Sequence, residues 1–301
     1  MSKNDRFWDV YDKREIITAL LFLAPVLIIT VSFILVPIAG TTYESLFRNV
    51  AFLPKKFIGL QNYTHQLSSG AFWRATAFTF AFTAVAVVLE TSLGLLFALL
   101  LNEKFFARGY LRAAVLIPWA IPTVIAGRIW QLMYQYSYGV INHLLTSTGL
   151  SSSNINWLGS TASAFWAIVI ADVWKTTPFV VIILLAGLQA IPQDIYLQAK
   201  VDGAGMIRRF TKITLPLLAP VIVVALIFRT IDSVRVFDLV YVLTGGGPGG
   251  STQTLSYLGF KYFNNDQFGQ GAAVSVIMFV LSFAVTLFYV RSGKFSSSLG
   301  K

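Results

Sequence analysis

The chain has 301 residues, of which 56% are hydrophobic and only 12% are charged. Soluble domains carry about twice that share of charge, so this composition excludes an ordinary soluble protein and indicates an integral membrane protein. The net charge of +10 is then explained by Lys and Arg in cytoplasmic loops, and it does not call for a nucleic-acid partner.

Long apolar runs predict the transmembrane helices. A helix needs about 20 apolar residues to cross a hydrocarbon core about 30 Å thick. Six runs qualify, over residues 16–39, 75–101, 112–134, 162–188, 213–243 and 271–290. We therefore expect an all-α membrane protein with six transmembrane helices, preceded by segment 1–15 and followed by tail 291–301. The fifth run is longer than required, and we expect it to break near Gly245–Gly250, where glycine disfavours a helix.

The basic residues between these runs predict the orientation. Fourteen Lys and Arg residues fall in segments on one side of the membrane, and six fall on the other side. The fourteen are Lys3, Arg6, Lys13, Arg14, Lys104, Arg108, Arg112, Lys200, Arg208, Arg209, Lys212, Arg291, Lys294 and Lys301. Because cytoplasmic loops carry the excess of positive charge, both termini and the loop 190–212 are predicted to be cytoplasmic.

The loop 190–212 has a helical pattern on each side of a sharp turn. The stretch "IPQDIYLQAKV" predicts one short helix, and "AGMIRRFTKI" predicts a second. Gly203 suits the positive φ of a tight turn, and Asp202 is expected to cap the second helix with its carboxylate. This helix–turn–helix is either a docking element or an amphipathic segment that lies on the membrane surface.

The same stretch, "YLQAKVDGAGMIRRFTKITLPLLAP", resembles the EAA loop of bacterial ABC importer permeases. The resemblance implies that this segment forms the coupling helices that dock on an ATPase subunit. The residues that it assigns to coupling are Tyr196, Leu197, Ala199, Asp202, Gly203, Ala204 and Phe210. Leu197 stands where the motif usually has Glu, so the resemblance implies apolar packing at that point.

Further stretches resemble the maltose-type, or carbohydrate uptake 1, permeases. They are "VLIPWAIPTVIAGRIW", "IADVWKTTPFVVIILLAGLQAIPQDIY", "FRTIDSVRVFD" and "VFDLVYVLTGGGPGGST". The resemblance implies the type I importer permease fold in a bacterial or archaeal cytoplasmic membrane. It also implies four kinds of partner: a second related permease, a dimer of ATPase subunits, an extracytoplasmic solute-binding protein and the surrounding lipid. The implied cargo is a sugar, with trehalose or maltose indicated by "DVWKTTPF".

Polar side chains inside the predicted spans mark a candidate solute path, because such groups are costly in a membrane and are often functional. Asp172, Lys175 and Thr176 share one helix face, as do Arg229, Asp232 and Ser233. With the contacts that the maltose-type resemblance implies, the candidate path is Trp119, Thr123, Asp172, Trp174, Lys175, Thr176, Arg229, Asp232, Ser233 and Arg235. Aromatic rings would pack on sugar C–H groups and polar side chains would bond the hydroxyls.

The charged residues also allow a structural interpretation. Asp172 could pair with Lys175, and Asp232 could pair with Arg229 or Arg235, to hold helices together. Glu90 and Arg128 are likewise predicted to pair between the second and third spans, in a structural role. The sequence leaves the site and the ion-pair interpretations open.

No catalytic constellation is visible in the chain. The stretch "TGGGPGGST" lacks the lysine and the spacing of a Walker A loop, so ATP and Mg are expected on partner subunits and no cofactor or metal on this chain. A membrane-embedded enzyme is disfavoured because cysteine is absent and His65 and His143 are far apart. Two alternatives remain: an importer for glycerol phosphate or another polar solute, and an ion-coupled secondary carrier.

Overall fold

The computed structural model describes residues 13–297, and most of that range is helical. The first half contains α1 (Lys13–Thr30), a π-helical turn (Val31–Leu35), α2 (Val36–Glu44), α3 (Gln61–Ser68), α4 (Gly70–Asn102), α5 (Arg108–Ala120), α6 (Thr123–Met133) and α7 (Val140–Ser147). The second half contains α8 (Thr161–Ala190), α9 (Gln193–Val201), α10 (Met206–Arg209), a π-helical turn (Phe210–Thr214), α11 (Leu215–Val234), α12 (Asp238–Leu243), α13 (Leu255–Asn264) and α14 (Phe268–Ser297). One antiparallel ribbon pairs β1 (Phe47–Arg48) with β2 (Lys56–Phe57), with Phe47 opposite Phe57.

Five helical stretches are long and apolar enough to cross a membrane. They are Ile17–Glu44, Gly70–Asn102, Thr161–Ala190, Met206–Val234 and Phe268–Arg291. Helices α5 and α6 form a bent pair that supplies a sixth crossing when it is counted as one span. The predicted fold class, an all-α membrane protein with six crossings, is confirmed. Residues 1–12 of the predicted N-terminal segment 1–15 lie outside the described residues. Residues 298–301 of the predicted tail 291–301 also lie outside them.

The third crossing differs from its prediction, because residues 112–134 do not form one helix. The chain bends by 96° between α5 and α6. Ile121, at the bend, has an extended backbone, which is the conformation favoured for a residue that precedes proline, here Pro122. The bend carries Thr123 to the start of a new helix, close to Trp119 in the preceding one.

The fifth crossing also differs, because it breaks earlier than predicted. The chain is non-helical at Gly245–Gly250, as expected, but an additional break follows Val234. Helix α11 ends at Val234, and the chain turns over residues 235–237 before α12 begins. The break leaves backbone groups without helical hydrogen bonds, and another part of the protein supplies a partner for one of them. The hydroxyl of Thr254 donates to the Val236 carbonyl at 2.9 Å. Irregular backbone is tolerated at membrane depth where other protein groups supply such hydrogen bonds.

Helices α4, α8 and α11 form the centre of the bundle. Leu101 of α4, Leu184 of α8 and Leu218 of α11 are almost fully buried in one apolar cluster. Gly94 allows α4 and α8 to approach closely, since a Cβ there would lie 2.6 Å from Cγ1 of Val180. Small residues at helix contacts are typical of membrane bundles, where van der Waals packing supplies much of the association energy.

A second cluster surrounds the broken end of the fifth crossing. Leu239 and Leu243 of α12 pack with Trp130 of α6 and with Phe82 and Ile168 of the long helices α4 and α8. The short helix α12 is therefore seated firmly against α6 and α8. This packing fixes the position of residues 235–237, which connect the two helices of the broken crossing, and of the first residues of α12.

The first crossing is the most exposed part of the bundle. Phe22 and Phe33 have exposed fractions of 81% and 77%, and no residue in its most apolar window is buried. Its C-terminal part, α2, packs against α14. Exposed apolar side chains of this kind are expected where a helix faces lipid or another membrane subunit.

Candidate functional site

A polar cavity of about 290 Å³ lies where the two broken crossings meet α8. Its lining residues come from α5, α6, α8, α11, the break before α12 and the start of α12. They are Trp119, Thr123, Asp172, Lys175, Thr176, Phe179, Arg229, Asp232, Ser233, Arg235, Val236, Phe237, Asp238 and Leu239. The bend at Ile121 and the break at residues 235–237 both open onto this cavity, so the irregular backbone shapes the site.

Nine of the ten candidate path residues line this cavity, and Trp174 does not. The ring of Trp174 instead packs edge-on against Trp130, with 5.7 Å between centroids. Trp174 is two residues after Asp172, which rotates it by about 200° around the helix and away from the cavity. The structure thus brings together residues from four helices, and whether they contact solute stays a prediction.

Other lining residues were not predicted. Phe179 follows Lys175 by four positions, so the helical spacing of the polar face was a signal that could have found it. Phe237 and Asp238 had no such signal, because they reach the cavity only through the break after Val234. Phe179 packs near Trp119 with 6.0 Å between ring centroids, which gives the cavity an aromatic wall.

Arg229 is the centre of the charged network beside the cavity. Its Nε donates to Glu90 Oε2 at 2.6 Å, and its Nη2 donates to Glu90 Oε1 at 2.8 Å. The same Nη2 lies 3.4 Å from Asp172 Oδ2 and 3.1 Å from Ser233 Oγ, and Nη1 lies 3.5 Å from Asp232 Oδ2. Arg229 and Glu90 are 4% and 0% exposed, so this bidentate pair is shielded from water.

This network corrects the predicted ion pairs. Glu90 pairs with Arg229 and not with Arg128, whose Nη1 donates to Gln131 Oε1 at 2.7 Å. The alternative pairing of Asp232 with Arg229 occurs at 3.5 Å. Neither the side chain of Lys175 nor that of Arg235 makes an ion pair or a hydrogen bond with any residue in the described range 13–297. Lys175 is only 8% exposed and lines the cavity, so its ammonium group is a donor at the cavity wall.

The charges around the cavity are nearly balanced. Asp172, Asp232 and Asp238 line it together with Lys175, Arg229 and Arg235, and Glu90 lies directly behind Arg229. With all groups ionised, carboxylates outnumber cations by one. The cavity therefore offers both donors and acceptors and has no net positive field.

The turn of the predicted coupling segment is built by backbone geometry. Gly203 has a φ of +73°, and its N–H donates to the Lys200 carbonyl at 3.1 Å. The N–H of Ala204 donates to the Ala199 carbonyl at 2.8 Å, which completes a Schellman motif at the end of α9. Only glycine adopts this φ without strain, so the predicted role of Gly203 in the turn is confirmed.

Two details of this segment differ from the prediction. Asp202 does not cap the second helix: it ends α9, while Gly205 occupies the N-cap position of α10 without a side-chain hydrogen bond. The second helix is also not separate. It continues through a π-helical turn into α11, so Met206–Val234 is one helical stretch of 29 residues.

The predicted coupling residues divide into anchors and exposed groups. Ala199 is buried, and Tyr196 packs against the bundle, with its hydroxyl 3.0 Å from Thr214 Oγ1. Leu197, Asp202 and Gly203 are exposed, and Ala204 and Phe210 are half-buried. Three apolar residues that were not predicted accompany Leu197 at the surface: Val201, Met206 and Ile207, each at least 80% exposed. We call these four residues the turn patch.

Comparisons with known proteins agree with this architecture. Residues 90–294 match the family described as "Binding-protein-dependent transport system inner membrane component". The chain is 55% identical to the trehalose/maltose transport system permease protein MalF of Thermococcus litoralis, over 94% of this chain and 95% of that protein. It is 43% identical to the sulfoquinovosyl glycerol transport system permease protein SmoG of Agrobacterium fabrum, over 95% of this chain and 92% of that protein.

A solved structure shows the same fold. The crystal structure of a bacterial ABC transporter involved in the import of alginate superposes with a TM-score of 0.81 at 23% identity, over 96% of this chain and 98% of that one. The resemblance to ABC importer permeases that the sequence showed is thereby confirmed. The chain belongs to the family of inner membrane components of binding-protein-dependent transport systems.

Proposed function

We propose that this chain is the permease subunit of an ATP-driven importer that moves a disaccharide, with trehalose or maltose as the first candidates. The cavity at the meeting point of the two broken crossings carries this proposal. It combines an aromatic wall with closely spaced donors and acceptors, which is the chemistry that a sugar requires. Its volume is close to the lower end of the range of about 300–1,000 Å³ for small-molecule sites.

The charge balance favours an uncharged solute. The strongest cation, Arg229, is already neutralised by Glu90, and the remaining lining groups include three carboxylates. An anion entering the cavity would meet these carboxylates at short range, where like charges repel strongly. A second candidate, glycerol phosphate or another anionic solute, is supported by Lys175 and Arg235, which have no ion pair within residues 13–297.

The turn patch is the proposed contact with the ATPase. Four exposed apolar side chains in a polar segment are unusual, and they fit an apolar cleft on a partner. The other partners in this proposal are a second related permease, which would complete the translocation path, and an extracytoplasmic solute-binding protein. ATP and Mg are proposed to bind to the ATPase subunits and not to this chain.

The proposed location is the cytoplasmic membrane of a bacterium or archaeon, with both termini and the turn patch on the cytoplasmic side. The excess of Lys and Arg on that side supports this orientation. In this arrangement the cavity lies within the membrane and the turn patch faces the compartment that contains ATP.

A continuous helix connects the two sites. The stretch Met206–Val234 begins in the turn patch and carries Arg229 and Ser233 at the cavity. At about 1.5 Å per residue it spans about 43 Å. In the proposed cycle, ATP binding closes the ATPase dimer and moves the turn, and the attached helix transmits this movement to the cavity. The binding protein then releases solute, and ATP hydrolysis resets the transporter.

The experiment that identifies the solute measures ATP hydrolysis by the assembled complex. The chain is co-expressed with its partner permease and ATPase, reconstituted in proteoliposomes, and mixed with the binding protein and one solute at a time. Trehalose or maltose is expected to stimulate hydrolysis, and glycerol 3-phosphate is not. Stimulation by glycerol 3-phosphate alone would overturn the sugar proposal in favour of the anionic solute.

A further inference from the structure

Glu90 lies behind the cavity wall and contacts two residues that line it. It is fully buried near the middle of α4 and does not itself line the cavity. Its carboxylate accepts two hydrogen bonds from Arg229 and one from the hydroxyl of Thr176, at 2.6 Å. One side chain on α4 thus fixes two lining side chains, one on α8 and one on α11.

Packing alone does not explain this arrangement. A buried carboxylate pays a large desolvation cost, and an apolar pair of similar volume often stabilises a protein as well or better. The carboxylate of Glu90 makes short, charge-assisted hydrogen bonds with Arg229, and these bonds set the orientation of the guanidinium plane of Arg229. The charge at this position is therefore better explained by what it does to Arg229 and Thr176 than by stability.

Glu90 determines which polar atoms the cavity presents. With Nε and Nη2 of Arg229 committed to Glu90, the guanidinium group is oriented and neutralised, and it no longer acts as a free cation. The hydroxyl proton of Thr176 has two acceptors in reach, Glu90 Oε1 and the Asp172 carbonyl, each at 2.6 Å. Because that proton is occupied, the oxygen of Thr176 is left to accept a hydrogen bond from a solute hydroxyl.

We propose that Glu90 is the positioning and specificity-determining residue of the cavity, which orients Arg229 and Thr176 from behind and makes the cavity selective for uncharged polyhydroxyl solutes over anions. This inference rests on the proposed sugar-carrying function. Glu90 has two effects: the length of its side chain places Arg229 and Thr176, and its charge cancels that of Arg229. Glu90→Asp tests the first effect, and Glu90→Gln tests the second.

The test measures equilibrium binding of radiolabelled trehalose and maltose to the purified, detergent-solubilised complex in the absence of binding protein. Glycerol 3-phosphate is added as an anionic competitor. For Glu90→Gln we expect sugar affinity to fall about tenfold, the effect of about one charge-assisted hydrogen bond, and glycerol 3-phosphate to compete. For Glu90→Asp we expect weaker sugar binding without competition by the anion, because the charge is kept and the reach is shortened.

The matched control is Glu44→Gln. Glu44 is also an ion-paired glutamate, bonded to Lys55, but it is partly exposed at the end of α2 and does not line the cavity. We expect this variant to bind sugar with the affinity of the wild type, without competition by glycerol 3-phosphate. A change equal to that of Glu90→Gln would mean that loss of any paired glutamate has this effect, and it would overturn the proposal.

The outcomes separate this inference from the proposed function. If no sugar stimulates ATP hydrolysis by the wild-type complex with its binding protein, the sugar-carrying function fails. If sugar stimulates hydrolysis but the wild-type complex binds neither sugar, the cavity is not the sugar site and the role of Glu90 fails. If the wild type binds sugar and Glu90→Gln binds it equally well without anion competition, the role of Glu90 fails. Should Glu90→Gln not assemble, the charge-balanced double variant Glu90→Gln, Arg229→Gln is used. It is expected to assemble and to lose sugar affinity, and retained affinity would contradict the proposal.

Discussion

The cavity and the turn at Gly203 are built in opposite ways. The cavity uses charged and aromatic side chains from helices that are far apart in the chain, and its central pair joins Glu90 to Arg229 across 139 positions. The turn uses local backbone hydrogen bonds around Gly203, and its exposed side chains are apolar. The cavity is thus sensitive to the removal of single charges, whereas the turn is sensitive to backbone conformation and to the addition of charge.

The largest effect is expected from Gly203→Pro. Proline requires a φ near −65° and has no N–H, so it can neither adopt the φ of +73° nor donate to Lys200. ATP-driven uptake should fall to the rate of vesicles without ATP, while sugar binding to the solubilised complex persists. Gly205→Ala is the control, because Gly205 has a φ of −65° and open space around its Cβ position. Normal uptake by Gly203→Pro would contradict the coupling role of the turn.

Removal of the central cation should destabilise the cavity region. Arg229→Met leaves Glu90 buried without its partner, which costs about 3–5 kcal/mol. We expect a large fall in the thermal midpoint of the detergent-solubilised complex. Adding Glu90→Leu should recover most of that loss without restoring transport, since both charges are then removed. If the double variant is as unstable as the single one, the pair is not the cause of the instability.

The cavity is sensitive to the removal of a charge, whereas the turn patch should be sensitive to the addition of one. Leu197→Glu introduces the residue type that the EAA motif usually has, but here it would place a carboxylate among apolar neighbours. We expect sugar-stimulated ATP hydrolysis to fall about tenfold, since an unpaired carboxylate in an apolar contact costs about 1–3 kcal/mol. Leu197→Met is the volume-matched control. Faster hydrolysis with Glu would show that the partner retains a site for the carboxylate.

The smallest effect is expected at Lys175. Lys175→Met removes a cavity-lining donor whose side chain makes no ion pair within residues 13–297, so the stability of the complex should be unchanged. Sugar affinity should fall about three- to tenfold, the effect of one hydrogen bond worth about 0.5–1.5 kcal/mol. Lys261→Met, at an exposed position of α13, serves as the control. A loss of stability without a loss of affinity would assign Lys175 a structural role.

The same contrast explains how far the sequence could predict the structure. The turn was predictable because its determinants are contiguous: Gly203 lies between two short helical patterns, and a positive φ there needs no information from distant residues. The six crossings followed from hydropathy for a similar reason. Within the turn, only the cap expected from Asp202 was wrong, because that detail depends on which side chain competes for the helix end.

The cavity was predictable only in part. Helical spacing placed Asp172, Lys175 and Thr176 on one face, and they do line the cavity. The break after Val234 carries neither glycine nor proline, so nothing in the local pattern indicated it. The partner of Glu90 depended on how α4 and α11 pack, which is a tertiary property, and Arg128 was therefore predicted in place of Arg229.

The most direct test of the account measures trehalose and maltose uptake into proteoliposomes that contain the full complex, with binding protein outside and ATP either inside or absent. The account predicts uptake that requires internal ATP, is unaffected by an ionophore that collapses ion gradients, and is abolished by Gly203→Pro. Uptake that continues without ATP and stops with the ionophore would contradict it and would indicate an ion-coupled carrier.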